Sequence, residues 1–169
     1  MDETTSLRTD RREIFAGLLE EHRGIVVKVA APYCQEPDDR AELVQEIVGQ
    51  LWRAFPGYDP SRSFSTWMYR IALNVAISEL RSRERRTRHF LPLEEGLDVA
   101  GSDGAGPERD RQVRALHAFI ARLTPLDRAL MLLYLEGMPQ REIAEMLGIS
   151  EANVSTKVGR MKHRIREEL

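Results

Sequence analysis

Near the C-terminus, Asn153, Ser155, Thr156, Lys157, Arg160 and Arg164 recur at spacings that put them on the outward side of one helix. Amides and hydroxyls can bond base edges while lysine and arginine neutralise phosphates, so this set has the chemistry of duplex recognition. A second set lies in the first half of the chain. Tyr58, Phe64, Trp67 and Tyr69 offer flat rings for stacking, and Arg62, Arg70, Asn74 and Arg81 can hold phosphates or base edges. Trp67 and Tyr69 suit a core as well, Trp67 above all. A third set, Glu42, Gln45, Glu46, Gly49 and Arg53, makes a polar stripe opposite an apolar one, a face that can dock a partner helix. For each set taken alone, the alternative is an ordinary solvated helix face.

Enzyme chemistry finds no comparable support. The four histidines, His22, His89, His117 and His163, are scattered, and the single Cys34 has no second cysteine to complete a disulfide or a zinc spacing. There is no glycine-rich phosphate loop and no nucleophile with a base at a plausible spacing. The expectation is therefore no metal, no cofactor and no catalytic activity. Residues 1–12 lack the apolar segment of a targeting signal, and no apolar run approaches the length of a membrane span, which predicts a cytoplasmic chain without membrane insertion. A net charge of −2 argues against a uniformly basic nucleic-acid binder, yet the charge is uneven. Arg81, Arg83, Arg85, Arg86 and Arg88 cluster against the lone Glu84, whereas residues 2–59 lean acidic.

The elements that carry these sets read as helices throughout, and no useful length shows the alternation of a half-buried strand. The fold class is all-α: two small helical domains joined by a flexible acidic linker, the second carrying a helix-turn-helix. A first helix is expected over 11–31, with Ile14, Leu18, Ile25 and Val29 inward, and a second over 39–55, with Leu43, Ile47, Leu51 and Phe55 on one stripe. A third begins at Ser65 as N-cap, with Phe64 stapling the entry, and continues to about Arg86. The domain boundaries are 1–86 and 108–169. Between them, 87–107 loses periodicity and gathers glycines among acidic residues. The piece from Phe90 to Gly106 spans roughly 55 Å fully extended, which would let the two domains occupy well-separated sites. In the second domain, Thr124 caps and Pro125 opens a helix, Gly148 makes the tight turn, Ile149 plugs the core, and Ser150 caps the final helix over 151–168.

The run from Leu123 to Ser150, with Gln140-Arg141-Glu142-Ile143-Ala144-Glu145-Met146-Leu147 before the turn, resembles two families: the promoter-reading domain of sigma factors and the output domain of response regulators. The first domain separates them. Asp39-Arg40-Ala41-Glu42-Leu43-Val44-Gln45-Glu46 with Leu51-Trp52-Arg53 is similar to the polymerase-binding helix of sigma factors of the extracytoplasmic-function group. Phe64 through Ile77, continuing to Leu80 and Arg81, resembles that group's promoter-opening helix. Three matches in order, over nearly the whole chain, favour this family over a stand-alone helix-turn-helix regulator of the response-regulator output type.

The resemblance implies a protein that joins core RNA polymerase and directs it to particular promoter DNA. It assigns Glu42, Gln45, Glu46 and Trp52 to polymerase, and Tyr58, Arg62, Phe64, Ser65, Trp67, Arg70, Asn74 and Arg81 to the minus-ten element. Asn153, Ser155, Thr156, Lys157, Arg160 and Arg164 fall to the minus-thirty-five element. It further implies control by an anti-sigma factor or another external regulator, with no appended sensor domain expected. Departures from the family pattern are Arg40 and Ala41 in the acidic signature, Pro139 in place of a capping serine, and Ser155 and Gly159 where basic and bulkier residues are common.

Overall fold

A computed structural model describes residues 3–87 and 106–169, and the expected acidic linker lies outside the described residues. Seven α-helices are present among them: α1 (Glu3–Ala30), α2 (Pro37–Ala54), α3 (Phe64–Thr87), α4 (Pro107–Ala121), α5 (Pro125–Leu135), α6 (Gln140–Leu147) and α7 (Glu151–Glu168). A single 3-10 turn, Phe55–Gly57, follows α2. No strand occurs among the described residues.

In the first domain α1, α2 and α3 pack against one another around Val26, Val29, Leu43, Ile47, Leu51, Met68, Ala72, Leu73 and Ala76. Helix α2 obeys its sequence pattern: Leu43, Ile47 and Leu51 recur every four residues and are buried, Pro37 occupies the first turn, and Asp38 and Asp39 complement the dipole there. Helix α1 departs from expectation twice. It starts two turns earlier, through polar residues that form helix without an apolar stripe to announce it. Of the expected inward residues, Val29 is buried and Leu18 and Ile25 pack partly buried against the core, but Ile14 stands 58% exposed and its neighbour Phe15 takes the inward place. The cap of α3 is Ser63 rather than Ser65: Ser63 Oγ accepts from Thr66 N at 3.4 Å, and Ser65 Oγ instead meets Ser63 Oγ at 2.9 Å.

The second domain follows its local signals closely. Thr124 accepts from Asp127 N at 3.2 Å with Pro125 at the first helical position, and Ser150 accepts from Asn153 N at 3.1 Å. Gly148 closes α6 in the left-handed region at φ 66°, where a side chain would be strained. Replacing Ser150 by Ala is expected to cost about 1 kcal/mol, read as a lower melting temperature in circular dichroism.

The two domains do not stand apart. In α5, Arg128, Ala129, Leu130 and Met131 are buried in succession, followed by Leu133, so the middle of the helix is covered all round, while Tyr134 and Leu135 at its end stay exposed. A helix face can be solvated only where it is polar, and this one is apolar nearly all round. Helices α6 and α7 cover one side of it, and α3 of the first domain packs on it as well. The resulting core is continuous across both domains.

Candidate nucleic-acid interface

The rings of the first domain gather where α2 hands over to α3. Phe55, Tyr58, Phe64 and Trp67 lie with centroids 5.1 to 6.2 Å apart, Tyr58 stacked on Phe55 with planes 16° from parallel. Such offset and edge-on arrangements hold aromatic clusters rigid beyond their burial. The intervening loop is pre-formed. Tyr58 hydroxyl donates to Arg62 O at 2.8 Å, and Asp59 Oδ1 accepts from Ser61 N and Ser61 Oγ at 2.9 and 2.8 Å, a side-chain turn of the type aspartate favours. Those bonds hold the Asp59 carboxyl below its usual pKa range. Arg62 remains largely exposed at the loop tip, 4.0 Å from Asp59.

Tyr58 and Trp67 are half-buried, so each keeps an edge toward solvent. Phe64 is a correction: at 6% exposure its ring is a wall of the cluster, braced by Tyr58, Trp67 and His22, not a free stacking surface. The reason is its position as the first residue of α3, where entry to the helix turns the ring inward. Tyr69 is likewise buried, at 4%; desolvation first, and then the nearby Glu136 carboxylate, push its pKa up to about 12. Beyond the rings, Arg70, Asn74 and Arg81 are all exposed and fall on one side of α3 by helical spacing. Ser65 sits half-buried at the head of that helix.

On α2, Glu42 and Gln45 are exposed, and Glu46 reaches Arg53 at 3.6 Å. The Arg53 guanidinium also donates to Gln50 Oε1 at 3.1 and 3.2 Å and lies across Gly49, within 3.7 Å of where a Cβ would stand. Trp52 is 40% exposed and rests on Phe15 with ring centroids 5.2 Å apart, and Phe15 is 5.1 Å from Phe55. One chain of rings therefore joins the α2 face to the loop cluster. Phe15 is the link absent from the expected inward set, an aromatic one residue from Ile14, and Phe55, expected on the α2 stripe, joins it to the loop rings.

On α7, two members of the expected outward set have partners on the protein itself. Lys157 is turned away from the outward face, its Nζ 3.1 Å from Asp127 Oδ1, with both side chains about a quarter exposed. It adjoins Val158 on the inward stripe, so its stem follows the α5 surface and its ammonium meets the carboxylate in the first turn there. Arg164 lies 5.2 Å over the Phe119 ring and 3.5 Å from Glu168. Asn153, Ser155, Thr156 and Arg160 are the members of the set left exposed, with Thr156 Oγ1 donating to Ala152 O at 3.0 Å. Arg160→Ala is accordingly expected to flatten the logarithmic salt dependence of duplex binding by about one unit, and Lys157→Ala by much less, in titrations at several salt concentrations.

Among the described residues no group of three or more His, Cys, Asp or Glu side chains is placed to hold a metal ion, and no helix is long and apolar enough to cross a membrane. Residues 18–86 match the family model for sigma-70 region 2, and residues 113–165 match that for sigma-70 region 4. The RNA polymerase sigma factor CnrH of Cupriavidus metallidurans is 31% identical over 89% of this chain and 84% of its own length. The extracytoplasmic-function sigma factor SigW of Bacillus subtilis is 26% identical over 94% and 90% of the two chains. In fold, the chain resembles the sigma factor RpoE solved with the anti-sigma factor NepR from Bartonella quintana, with a TM-score of 0.69, 18% identity and coverage of 94% and 95%.

Proposed function

The chain belongs to the extracytoplasmic-function group of sigma-70 RNA polymerase sigma factors, and from that membership we infer how its surfaces divide the work of promoter-specific initiation. As a sigma factor it directs transcription initiation; the stand-alone regulator is not favoured, because the first domain carries a sigma region of its own.

Core polymerase docks on the α2 face of Glu42, Gln45, Glu46 and Trp52. Tyr58, Trp67 and Ser65 receive the freed strand of the minus-ten element, with Phe64 as the rigid back wall, and Arg62, Arg70, Asn74 and Arg81 hold its backbone and base edges. Unstacking a base costs a few kcal/mol per step, on the order of the contacts a ring and a cation return. Helix α7 reads the minus-thirty-five element through Asn153, Ser155, Thr156 and Arg160, while Lys157 and Arg164 brace the helix. The domains divide at 1–86 and 108–169. The chain itself carries no catalysis, which belongs to the polymerase, and it works in the cytoplasm. An anti-sigma factor is its natural regulator, in line with the relative solved in complex with one.

The observation that carries this division is the aromatic chain from Trp52 to Trp67, continued by the exposed stripe of Arg70, Asn74 and Arg81. Run-off transcription from fragmented genomic DNA, with and without the chain added to core polymerase, tests it. New start sites sharing two spaced elements are expected. Specific duplex retardation by the chain alone, with neither core binding nor new starts, would overturn it.

A further inference from the structure

Base edges in a major groove are met by the first residues of a recognition helix, while its later residues fall toward the flanking phosphates. In the first two turns of α7 the outward residues are Glu151, Ala152, Asn153, Ser155 and Thr156, all exposed. No lysine or arginine stands among them, because Lys157 is held by Asp127. Guanine is read most often by a bidentate arginine or lysine, so this end of the helix lacks the usual guanine reader. Asparagine pairs in the same two-bonded way with adenine, through N6 and N7. Ser150 Oγ caps the Asn153 backbone N–H at 3.1 Å, and no hydrogen bond engages the Asn153 amide group among the described residues.

The helix itself narrows what Thr156 can offer. Its hydroxyl donates to Ala152 O at 3.0 Å, so the proton is spent on the backbone and the γ-methyl is left as the contact group. Its neighbours along the outward face are Ala152, four residues before, and Gly159, three after; nothing lies within 4 Å of where a Cβ of Gly159 would stand. No long side chain on that stripe shades the methyl. The apolar feature of the major groove is the C5-methyl of thymine, which a threonine methyl matches. Asn153 and Thr156 are separated by about 4.5 Å of helix rise, against about 3.4 Å per base step, so the two side chains address neighbouring base pairs.

We propose that Asn153 and Thr156 make α7 a reader of adjacent A·T pairs: Asn153 bonds an adenine, and the Thr156 methyl packs on the C5-methyl of a thymine in the minus-thirty-five element. The pairing rests on the assignment of α7 to that element. Arg160 anchors the flanking backbone, and Ser155, whose hydroxyl bonds either kind of pair, adds little discrimination.

The test uses core polymerase with the full chain on a promoter recovered by run-off transcription, each thymine of its minus-thirty-five element replaced in turn by deoxyuridine. That exchange deletes one methyl and keeps every hydrogen-bonding group. At one position it is expected to weaken binding about two- to fourfold, the worth of one buried methyl. Thr156→Ser, which loses the methyl and keeps the hydroxyl, is expected to erase the preference for thymine there, and Thr156→Val, which keeps the methyl and loses the hydroxyl, to retain it; circular dichroism checks that both are folded. Exchange of one adenine for 7-deazaadenine is expected to cost about two- to tenfold, a difference that Asn153→Ala abolishes. Deoxyuridine without effect at every position, or a thymine preference kept by Thr156→Ser and lost by Thr156→Val, overturns the methyl contact. 7-Deazaadenine without effect at every position overturns the adenine contact, and an element with no A·T pair overturns both. A chain that gives no new starts with core polymerase overturns the assignment of α7 to the element, and the base reading with it.

Discussion

Tyr58→Ala is expected to reduce open-complex formation by about five- to 150-fold, the range corresponding to the roughly 1–3 kcal/mol that one stacked ring contributes to holding an unstacked base. The ring is half-buried between Phe55, Phe64 and Trp67, and its hydroxyl ties the loop to Arg62 O at 2.8 Å. Alanine removes a stacking surface and frees the loop tip together. Permanganate reactivity of promoter thymines reads the loss, with comigration on core polymerase as the control, since Tyr58 lies apart from the Glu42, Gln45 and Glu46 face. Tyr58→Phe separates the two effects: it keeps the ring and loses only the loop tie, so a small defect assigns the work to stacking. An alanine variant that opens promoters normally removes Tyr58 from the strand-capture surface.

Arg128→Ala is the second large effect. Arg128 is 9% exposed, and its guanidinium donates to three carbonyls: Leu123 O at 3.1 Å, Ala121 O at 2.7 Å and Pro32 O at 3.0 Å. The first two lie at the turn between α4 and α5, and the third in the other domain. Truncation leaves buried acceptors without donors, at about 1–3 kcal/mol each, so a total loss of about 3–5 kcal/mol in unfolding free energy is expected. Urea denaturation followed by helical circular dichroism checks it. Arg128→Lys should recover only part, because one ammonium cannot reproduce the planar fork that spans three carbonyls. Loss below about 1 kcal/mol would mean that water replaces the guanidinium without cost.

Local structure in the second domain was legible because its signals are short-range. Thr124 with Pro125, Gly148, and Ser150 each act within one turn of their own position, and each does in the structure what its chemistry predicts. The α2 stripe was legible for the same reason, since Leu43, Ile47 and Leu51 repeat at the helical period without interruption. Where two neighbours competed for one role, the sequence left the choice open. Ile14 and Phe15, or Ser63 and Ser65, differ by a rotation that only packing against α2 and the loop could resolve.

The site shows the same division. Residue types and spacing determined that rings and cations concentrate between Tyr58 and Arg81, that an acidic-polar face lies on α2, and that α7 offers hydrogen-bonding groups outward. The tertiary structure decided which of those side chains are free. Asp127 lies 30 residues from Lys157 and Phe119 lies 45 from Arg164, and no periodicity reports a partner on another helix. Phe64 became a wall because Tyr58, Trp67 and His22 converge on it from three segments. The docking of one domain on the other was the least visible feature. Tyr33 meets Pro125, Arg128 meets Pro32 and Lys28 meets Glu136, each across more than 90 residues of chain, a match of positions that exists only once both domains have folded.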